Sequence, residues 1–169
     1  NGRTGIFYGT ASPQNILIEG NLVYNNDRNG EGYPEIWPKG PGAVVRGNTA
    51  YTNSATASYV YDLIEASGVI VKNNIGYRTG VGETVVHLPT SAIADYNDWF
   101  NPDEPACIRR GWDTPITLAT YQTYGQEQHG ISQDPLFVNL PSYDFRLQST
   151  SPCCGTGEGG VNMGCLLYT

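Results

Sequence analysis

The feature that most constrains the fold is a short stretch that recurs along the chain. It reads NILIEGNLVYNN in residues 15–26, AVVRGNTAYTNS in 43–54, VIVKNNIGYRTG in 69–80 and, less closely, AIADYNDWFN in 92–101. When these copies are aligned, one column holds asparagine throughout, at spacings of 27, 26 and 23 residues: Asn21, Asn48, Asn74 and Asn97. Self-similarity at a period of this size is typical of a solenoid.

The columns on either side of the asparagine indicate strands. The third residue before it is apolar in every copy: Ile18, Val45, Val71 and Ala94. The third residue after it is aromatic in every copy: Tyr24, Tyr51, Tyr77 and Phe100. The runs are short, are bounded by Gly and Asn, and sustain no helical pattern of apolar residues. They predict parallel strands that stack about 4.8 Å apart, with the aromatic residues forming an internal or edge stack. If these aromatic residues face outward instead, they would form a platform for sugar rings.

The asparagine column predicts a ladder of side-chain hydrogen bonds. Asparagine tolerates the left-handed backbone angles of a tight corner, and its amide can both donate and accept. We therefore expect each ladder asparagine to bond the one above and the one below, which satisfies polar groups that the corner would otherwise leave unpaired. The alternative interpretation is four independent turns that each contain an asparagine.

With this pattern, the chain resembles the right-handed parallel β-helix superfamily that includes pectate lyases, other polysaccharide lyases, polygalacturonases and mannuronan epimerases. The segment from Asp134, DPLFVNLPSYDFRLQSTSPCCGTG, resembles the closing segment of many secreted members: a DPLF turn, a DFRL strand and an SPxxxxG turn. The resemblance covers roughly residues 6–164. It is specific for the fold and weak for the chemistry, because the superfamily hosts hydrolases, lyases, epimerases, adhesins and phage spikes.

The expected fold is therefore all-β: a right-handed parallel β-helix of about four to six coils with an irregular C-terminal cap. Residues 1–100 are predicted to form the coils, after a first strand in 5–9 and a Ser-Pro turn at residues 12 and 13. The stretch 25–42 is predicted to be a projecting polar loop. Residues 101–169 are predicted to form the cap, with a Pro-rich loop, a short amphipathic helix in 115–124 and the last strands.

Composition limits the classes of partner. The 169 residues amount to one domain, and only 15% of them are charged, with a net charge of −7. This acidic balance, without a basic stripe, argues against a nucleic-acid partner. No apolar run approaches the roughly 20 residues that a membrane span needs. The chain starts at Asn1 without a signal peptide or an initiator Met, which we interpret as a processed or trimmed product.

The four cysteines are candidates for disulfides: Cys107, Cys153, Cys154 and Cys165. Their spacing is poor for a metal site, whereas an even count in a loop-rich chain favours disulfides, with three possible pairings. A bond from Cys153 or Cys154 to Cys165 would close the tail, and Cys107 would then pin the preceding loop. Disulfides imply an extracellular or periplasmic location, as expected for a secreted protein.

A column of charges lies two residues before each ladder asparagine: Glu19, Arg46, Lys72 and Asp95. Strand alternation places it opposite the Ile18 column, so we expect it to face outward. In the lyases that the chain resembles, a base removes the proton next to a carboxylate while a cation or Ca²⁺ neutralises that carboxylate. The resemblance thus implies Lys72 as the catalytic base and Arg46 as the carboxylate clamp, with Glu19 and Asp95 among the substrate-binding residues. The alternative is a surface ladder of ion pairs, Glu19 with Arg46 and Lys72 with Asp95.

A second candidate site is hydrolytic. Polygalacturonase-type enzymes use several Asp residues with a nearby His, and Asp62, Glu65 and His87 could converge from adjacent coils. The chain lacks the paired-Asp motif of those enzymes, so an exposed Asp62 and a hydrogen-bonded structural His87 are the alternative. His129 is predicted to be structural.

Two further features could contribute to binding. Trp37 and Trp99 are the candidates for exposed rings, and Trp37 is predicted to bind substrate. Asp27, Glu31 and Glu35 could gather a Ca²⁺ ion within one loop, although their spacing matches no EF-hand and a solvated acidic loop is the alternative.

Two functions of different classes follow. The first is a secreted protein that interacts with a polysaccharide or glycan, lyase-like on uronic-acid chains. The second is a non-catalytic module: an adhesin, a filament subunit that stacks head to tail through its uncapped N-terminal rung, or the C-terminal part of a larger β-helix protein.

Overall fold

A computed structural model describes residues 3–9 and 16–165 and shows a parallel β-helix of about four turns. The predicted Ser-Pro turn at residues 12 and 13 lies outside the described residues. Four coils each contribute one strand to each of three parallel sheets, and sheet A has one further strand at its C-terminal end. Sheet A contains β1 (Ile6–Gly9), β4 (Ile36–Lys39), β7 (Tyr61–Asp62), β10 (Val86–Leu88) and β13 (Ile108–Arg110). Sheet B contains β2 (Leu17–Glu19), β5 (Val44–Arg46), β8 (Ile70–Lys72) and β11 (Ile93–Asp95), and sheet C contains β3 (Leu22–Tyr24), β6 (Thr49–Thr52), β9 (Ile75–Arg78) and β12 (Asp98–Phe100).

The register of the strands follows the sequence repeat. Ile18 pairs with Val45, Val45 with Val71, and Val71 with Ala94, so the predicted apolar column runs up the interior of the coil. All of these side chains are buried in one core cluster that also contains Ile36 and other residues of sheet A. Alternation along each strand then turns the neighbouring side chains outward. The all-β parallel β-helix predicted from the repeat is therefore confirmed.

The asparagine ladder is also confirmed. Asn21 Nδ2 donates to Asn48 Oδ1 at 3.0 Å, Asn48 Nδ2 to Asn74 Oδ1 at 3.0 Å, and Asn74 Nδ2 to Asn97 Oδ1 at 2.9 Å. The residue before each ladder asparagine takes a left-handed backbone, with φ of 67°, 62°, 57° and 60°: Gly20, Gly47, Asn73 and Tyr96. The corner therefore turns at a position where Gly or Asn adopts the required angle most easily.

A buried carboxylate takes the place of the next asparagine at the C-terminal end of the ladder. Glu127 Oε1 accepts hydrogen bonds from Asn97 Nδ2 and from Trp99 Nε1, both at 2.8 Å. Burial raises the pKa of Glu127 to about 7, although these hydrogen bonds act in the opposite direction. The helix α1 (Leu118–Gln122) packs beside it, and Gln122 Nε2 donates to the Glu127 carbonyl at 2.8 Å. Because a solenoid end exposes unpaired backbone groups, this segment closes the last coil.

The tail after this cap folds back along the side of the solenoid. Its strands β14 (Phe137–Asn139) and β15 (Asp144–Leu147) form an antiparallel hairpin whose Phe137 and Phe145 pack on the outer face of sheet C. Further along, Gly164 N donates to the Asn73 carbonyl at 2.7 Å. Cys165 N donates to Thr49 Oγ1 at 3.0 Å. The tail thus contacts the second and third coils as well as the last one.

Two strands of sheet A lie in segments that the sequence predicts to be irregular. β4 lies inside the stretch predicted to be a projecting loop, and β13 lies inside the predicted Pro-rich loop. Prolines and turn-forming residues surround both strands, so the sequence pattern does not indicate a strand there. Pairing with β1, β7 and β10 supplies the backbone hydrogen-bond partners of the two strands. The predicted helix is present but spans only five residues.

The four cysteines, predicted to form disulfides, are all free in the structure. Cys107 and Cys153 are buried thiols: the Cys107 Sγ lies 3.5 Å from the Trp99 carbonyl, and the Cys153 Sγ lies 3.2 Å from Asp98 Oδ2. Within the described residues, no helix is both long and apolar enough to cross a membrane.

Candidate functional site

The predicted charge column lies on the outer face of sheet B, and its residues are in register on neighbouring strands. Arg46 Nε donates to Glu19 Oε1 at 2.7 Å, as the ion-pair alternative predicts. The predicted pair of Lys72 with Asp95 is wrong. Lys72 Nζ instead contacts Glu158 Oε1 of the tail at 2.5 Å, and Asp95 contacts His129 of the cap.

His129 is held firmly although it is exposed. Its ring stacks on Tyr96 with centroids 4.4 Å apart, and its Nδ1 lies 2.9 Å from Asp95 Oδ2. Burial alone would raise the pKa of Asp95, but the hydrogen bonds from His129 outweigh it, and the net pKa is lowered. The predicted structural role of His129 agrees with these contacts, which join the cap to sheet B.

A groove of about 540 Å³ runs between sheet B and the tail. Its walls include Glu19 and Arg46 from the coils and Glu158 and Asn162 from the tail. Both cations of the predicted catalytic pair are neutralised by carboxylates here, since Arg46 pairs with Glu19 and Lys72 with Glu158. Each cation of the predicted catalytic pair therefore already contacts a carboxylate of the protein, Arg46 through its Nε and Lys72 through its Nζ.

The outer face of sheet A is of a different kind, because aromatic rings dominate it. Phe7 and Trp37 occupy paired positions on β1 and β4, with ring centroids 5.1 Å apart, and Tyr33 lies 6.1 Å from Trp37. Lys39 Nζ sits 4.1 Å from the centre of the Trp37 ring and 2.8 Å from Glu65 Oε1. Phe7 remains 56% exposed. The structure therefore places Trp37 on sheet A, apart from the other predicted site residues on sheet B.

The same row continues on the later strands with polar groups. Asp62 and His87 are in register on β7 and β10, and His87 Nδ1 lies 3.2 Å from Asp62 Oδ1. His87 Nε2 lies 2.6 Å from the Gly111 carbonyl oxygen; because a carbonyl only accepts, this nitrogen carries the proton. The His87 ring lies between Tyr59, at 4.7 Å, and Trp112, at 5.2 Å.

Of the hydrolytic candidates, the structure brings Asp62 and His87 together but pairs Glu65 with Lys39. Both nitrogens of His87 have partners and the residue is buried, which agrees with the structural alternative for His87. The expectation of an exposed Asp62 is wrong, because its side chain is only 14% exposed. The rings around it are the accessible part of this region. We call the five rings on the outer face of sheet A the aromatic face: Phe7, Tyr33, Trp37, Tyr59 and Trp112.

The prediction of an exposed Trp99 is wrong. Its side chain is fully buried inside the last coil, where its Nε1 donates to Glu127. Trp112, which the sequence analysis did not single out, is 78% exposed. Trp112 follows directly after a glycine at the end of β13, a position typical of a turn, and that signal could have identified it.

In the predicted calcium loop, the carboxylates of Asp27 and Glu35 accept hydrogen bonds from other residues of the same loop. Both Asp27 carboxylate oxygens accept backbone N–H groups, Oδ1 from Glu31 at 3.1 Å and Oδ2 from Gly32 at 3.1 Å. Glu35 is buried and bonds Asn26, with a pKa that burial raises despite these hydrogen bonds. In the described parts of the chain, no three Asp, Glu, His or Cys side chains gather in a group that could hold a metal ion.

Comparison with protein families, with curated proteins and with solved structures finds no match for this chain. The parallel β-helix and its asparagine ladder are therefore supported by the structure alone. Membership of the pectate-lyase-like superfamily, and the chemistry that it would imply, stay predictions.

Proposed function

We propose that the protein is a secreted, glycan-binding β-helix, and that the aromatic face of sheet A is its binding surface. The observation that carries this proposal is the exposure of these rings: Trp112 and Phe7 are largely exposed, and Trp37, which pairs with Phe7 on the neighbouring rung, is partly exposed. Aromatic rings supply large, rigid and amphipathic contact surfaces. Rungs about 4.8 Å apart repeat along the solenoid as sugar units repeat along a polysaccharide.

Polar groups flank the rings, as a glycan surface requires. The Lys39–Glu65 pair borders Trp37, and the Asp62 carboxylate and Arg109 guanidinium lie in the row of His87. Sugar hydroxyls both donate and accept hydrogen bonds, so a mixture of carboxylates and cations around apolar rings suits them better than an apolar patch would. The sheet B face offers ion pairs beside an aliphatic row whose exposed members, Leu17 and Ile93, lie on its two outermost strands.

Binding to a panel of neutral and acidic oligosaccharides, followed by isothermal titration calorimetry and tryptophan fluorescence, tests the proposal. Trp112→Ala is expected to weaken binding by about 2 kcal/mol, roughly 30-fold, as for an exposed aromatic anchor at an interface. Leu17→Ala is the matched control, because Leu17 is a similarly exposed apolar residue on sheet B. Absence of binding to every glycan, or equal losses in the two variants, would refute the aromatic face as the site.

Lyase activity at Lys72 and Arg46 is a separate, catalytic proposal, because these residues lie on sheet B and not on the aromatic face. It requires Lys72 to leave Glu158 when the substrate arrives. The assay is the release of unsaturated uronic-acid products, with Lys72→Ala expected to abolish turnover and to leave the fold intact. Wild-type protein that releases no such product from any uronic-acid glycan would refute it.

The non-catalytic alternative is head-to-tail association. In the described residues, β1, β2 and β3 are the outermost strands of sheets A, B and C, and a hollow of about 380 Å³ at this end is lined by Ile6, Asn21 and Val23, among others. Outer strands are templates for pairing with another chain. Light scattering over a range of concentrations tests this alternative, and a Val23→Lys variant that assembles as well as the wild type would contradict it.

A further inference from the structure

Ion pairs account for most of the cations in this acidic protein. Of nine Lys and Arg residues, six contact a carboxylate: Arg3, Lys39, Arg46, Lys72, Arg78 and Arg146. Three form no ion pair with any described residue: Arg28, Arg109 and Arg110. With 16 acidic residues in the chain, an unpaired cation is the exception.

Arg109 differs from the other two because it is both fixed in place and positioned on the binding surface. Its Nε donates to the Asp113 carbonyl at 3.0 Å, and its Nη1 donates to the Tyr59 hydroxyl at 2.9 Å. Asp113 contributes its main-chain oxygen here, so the guanidinium charge stays uncompensated. Arg110 instead lies over the Tyr124 ring of the cap, 4.5 Å from its centre.

The end of sheet A explains why Arg109 lacks a partner. Asp62, His87 and Arg109 are in register on three successive strands, so their side chains form one column. Asp62 Oδ1 lies 3.2 Å from His87 Nδ1 on the next rung and has no such contact with Arg109. β13 is the outermost strand of sheet A at this end, so no further rung of the described chain supplies a carboxylate to Arg109.

The contact with Tyr59 also fixes the direction of the Tyr59 hydroxyl proton. A guanidinium only donates hydrogen bonds, so the Tyr59 oxygen must accept from Arg109. The phenolic proton is then left to donate to another group, and Arg109 Nη2 retains its own N–H donors. This corner of the aromatic face, formed by Arg109 and Tyr59, offers hydrogen-bond donors and positive charge beside the exposed Trp112 ring.

We infer that Arg109 and Tyr59 form an oxyanion subsite that recognises a carboxylate or sulfate group on the bound glycan, an inference that rests on the proposed function. Oxyanions accept several hydrogen bonds at once, and a guanidinium matches their planar or tetrahedral oxygens better than an ammonium does. A neutral sugar in the same position would leave the Arg109 charge uncompensated. The two residues therefore select acidic over neutral glycans, while the rings hold the sugar units themselves.

The test compares glycans that share a backbone and differ in charge. Oligogalacturonate is paired with its methyl ester, and sulfated dextran with dextran, so that the two pairs separate carboxylate from sulfate. We expect the charged member of at least one pair to bind more tightly. Arg109→Met should weaken that binding about 10- to 100-fold and Tyr59→Phe about 10-fold, the usual range for hydrogen bonds to a charged group. Arg110→Met, which removes the same charge from the same strand, should have little effect.

A separate measurement tests oxyanion binding at Arg109 independently of glycan binding. Acetate and sulfate are titrated into the wild-type protein while the Nε–H signals of Arg109 and Arg110 are followed by NMR. A selective shift of Arg109 supports the subsite even if none of the glycans binds. Equal shifts of the two arginines, or acidic glycan binding that Arg109→Met leaves unchanged, would overturn the subsite and leave the aromatic face as a binding surface.

Discussion

The solenoid carries aromatic rings on the outer faces of two sheets, and only one of these two groups of rings is covered. On sheet C, Tyr24, Tyr51, Tyr77 and Phe100 form what we call the covered row, because the tail packs Phe137 and Phe145 against it. On sheet A, the aromatic face carries rings of similar size, and Phe7 and Trp112 remain largely exposed. The neighbours of each row account for the difference. The covered row meets apolar residues of the tail, whereas charged groups border the aromatic face.

This comparison separates structural rings from rings that are free to bind. Tyr51 and Tyr77 lie 5.4 Å apart and are both buried, so their apolar surface already stabilises the fold. The exposed rings of the aromatic face contribute little to folding, because their surface stays in contact with water. A large exposed apolar surface beside polar groups is typical of an interaction site. The following predictions test the contrast.

The largest expected difference is in stability. Phe145→Ala should lower the free energy of unfolding by about 3–5 kcal/mol, because it empties a buried position in contact with Tyr24 and Tyr51. Trp112→Ala, the control on the aromatic face, should change it by less than about 0.5 kcal/mol. Urea unfolding followed by circular dichroism measures both. Similar losses in the two variants would mean that the aromatic face is also structural.

The covered side should also respond to pH through Asp98. This carboxyl group is buried under the tail beside Cys153, and burial raises its pKa to about 8. A raised folded-state pKa contributes stability that is fully present below the ordinary Asp pKa of about 4 and is lost as the pH rises through about 8. Between about pH 6 and about pH 8, this group should therefore cost about 2 kcal/mol of stability.

Asp98→Asn isolates that effect, because the amide keeps the size of the carboxyl group and cannot ionise. The loss of stability between the two pH values should be about 2 kcal/mol smaller in this variant than in the wild type. The pH dependence of the unfolding free energy is compared between the two proteins because Glu127, whose pKa is raised to about 7, titrates in the same range. If the unfolding free energy falls equally with pH in both proteins, Asp98 is not protonated under the tail.

The smallest expected effect concerns the ion pair that joins the tail to sheet B. The Lys72–Glu158 contact is partly exposed, so a double-mutant cycle with Lys72→Ala and Glu158→Ala should give a coupling of less than about 1 kcal/mol. Such a value would show that apolar contacts on the covered row, rather than this ion pair, hold the tail. A coupling as large as the Phe145→Ala loss would reverse that conclusion.

The parts of the molecule that repeat could be predicted from the sequence. Asn48 and Asn74 stack because backbone hydrogen bonds between coils set one fixed rung spacing, so equal positions in successive copies must lie above one another. The same rule predicts that Glu19 faces Arg46 and that the covered row stacks. It also explains why β4 was missed: Ile36–Lys39 lies between repeats, in a stretch whose prolines do not suggest a strand.

The candidate site could be predicted only in part. Trp37 was identified as a surface ring because it stands among turn-forming residues, but its position beside Phe7 depends on β1 pairing with β4. Trp99 has an equally aromatic sequence context and is buried, because the cap segment with Glu127 closes over it. The partnership of Arg109 with Tyr59 joins residues 50 positions apart in sequence, and no repeat relates them.

The repeat alone predicts the coil, the asparagine ladder, the inward apolar column and the outward charge column. These properties follow from a short period and from hydrogen bonds between neighbouring rungs. The path of the tail determines which aromatic rings are covered and which partner each charge takes, as when Lys72 pairs with Glu158, 86 residues away, instead of Asp95 on the next strand. The physical reason is that the cap and tail contain no repeat, so their path depends on which apolar surface of the finished solenoid they can bury.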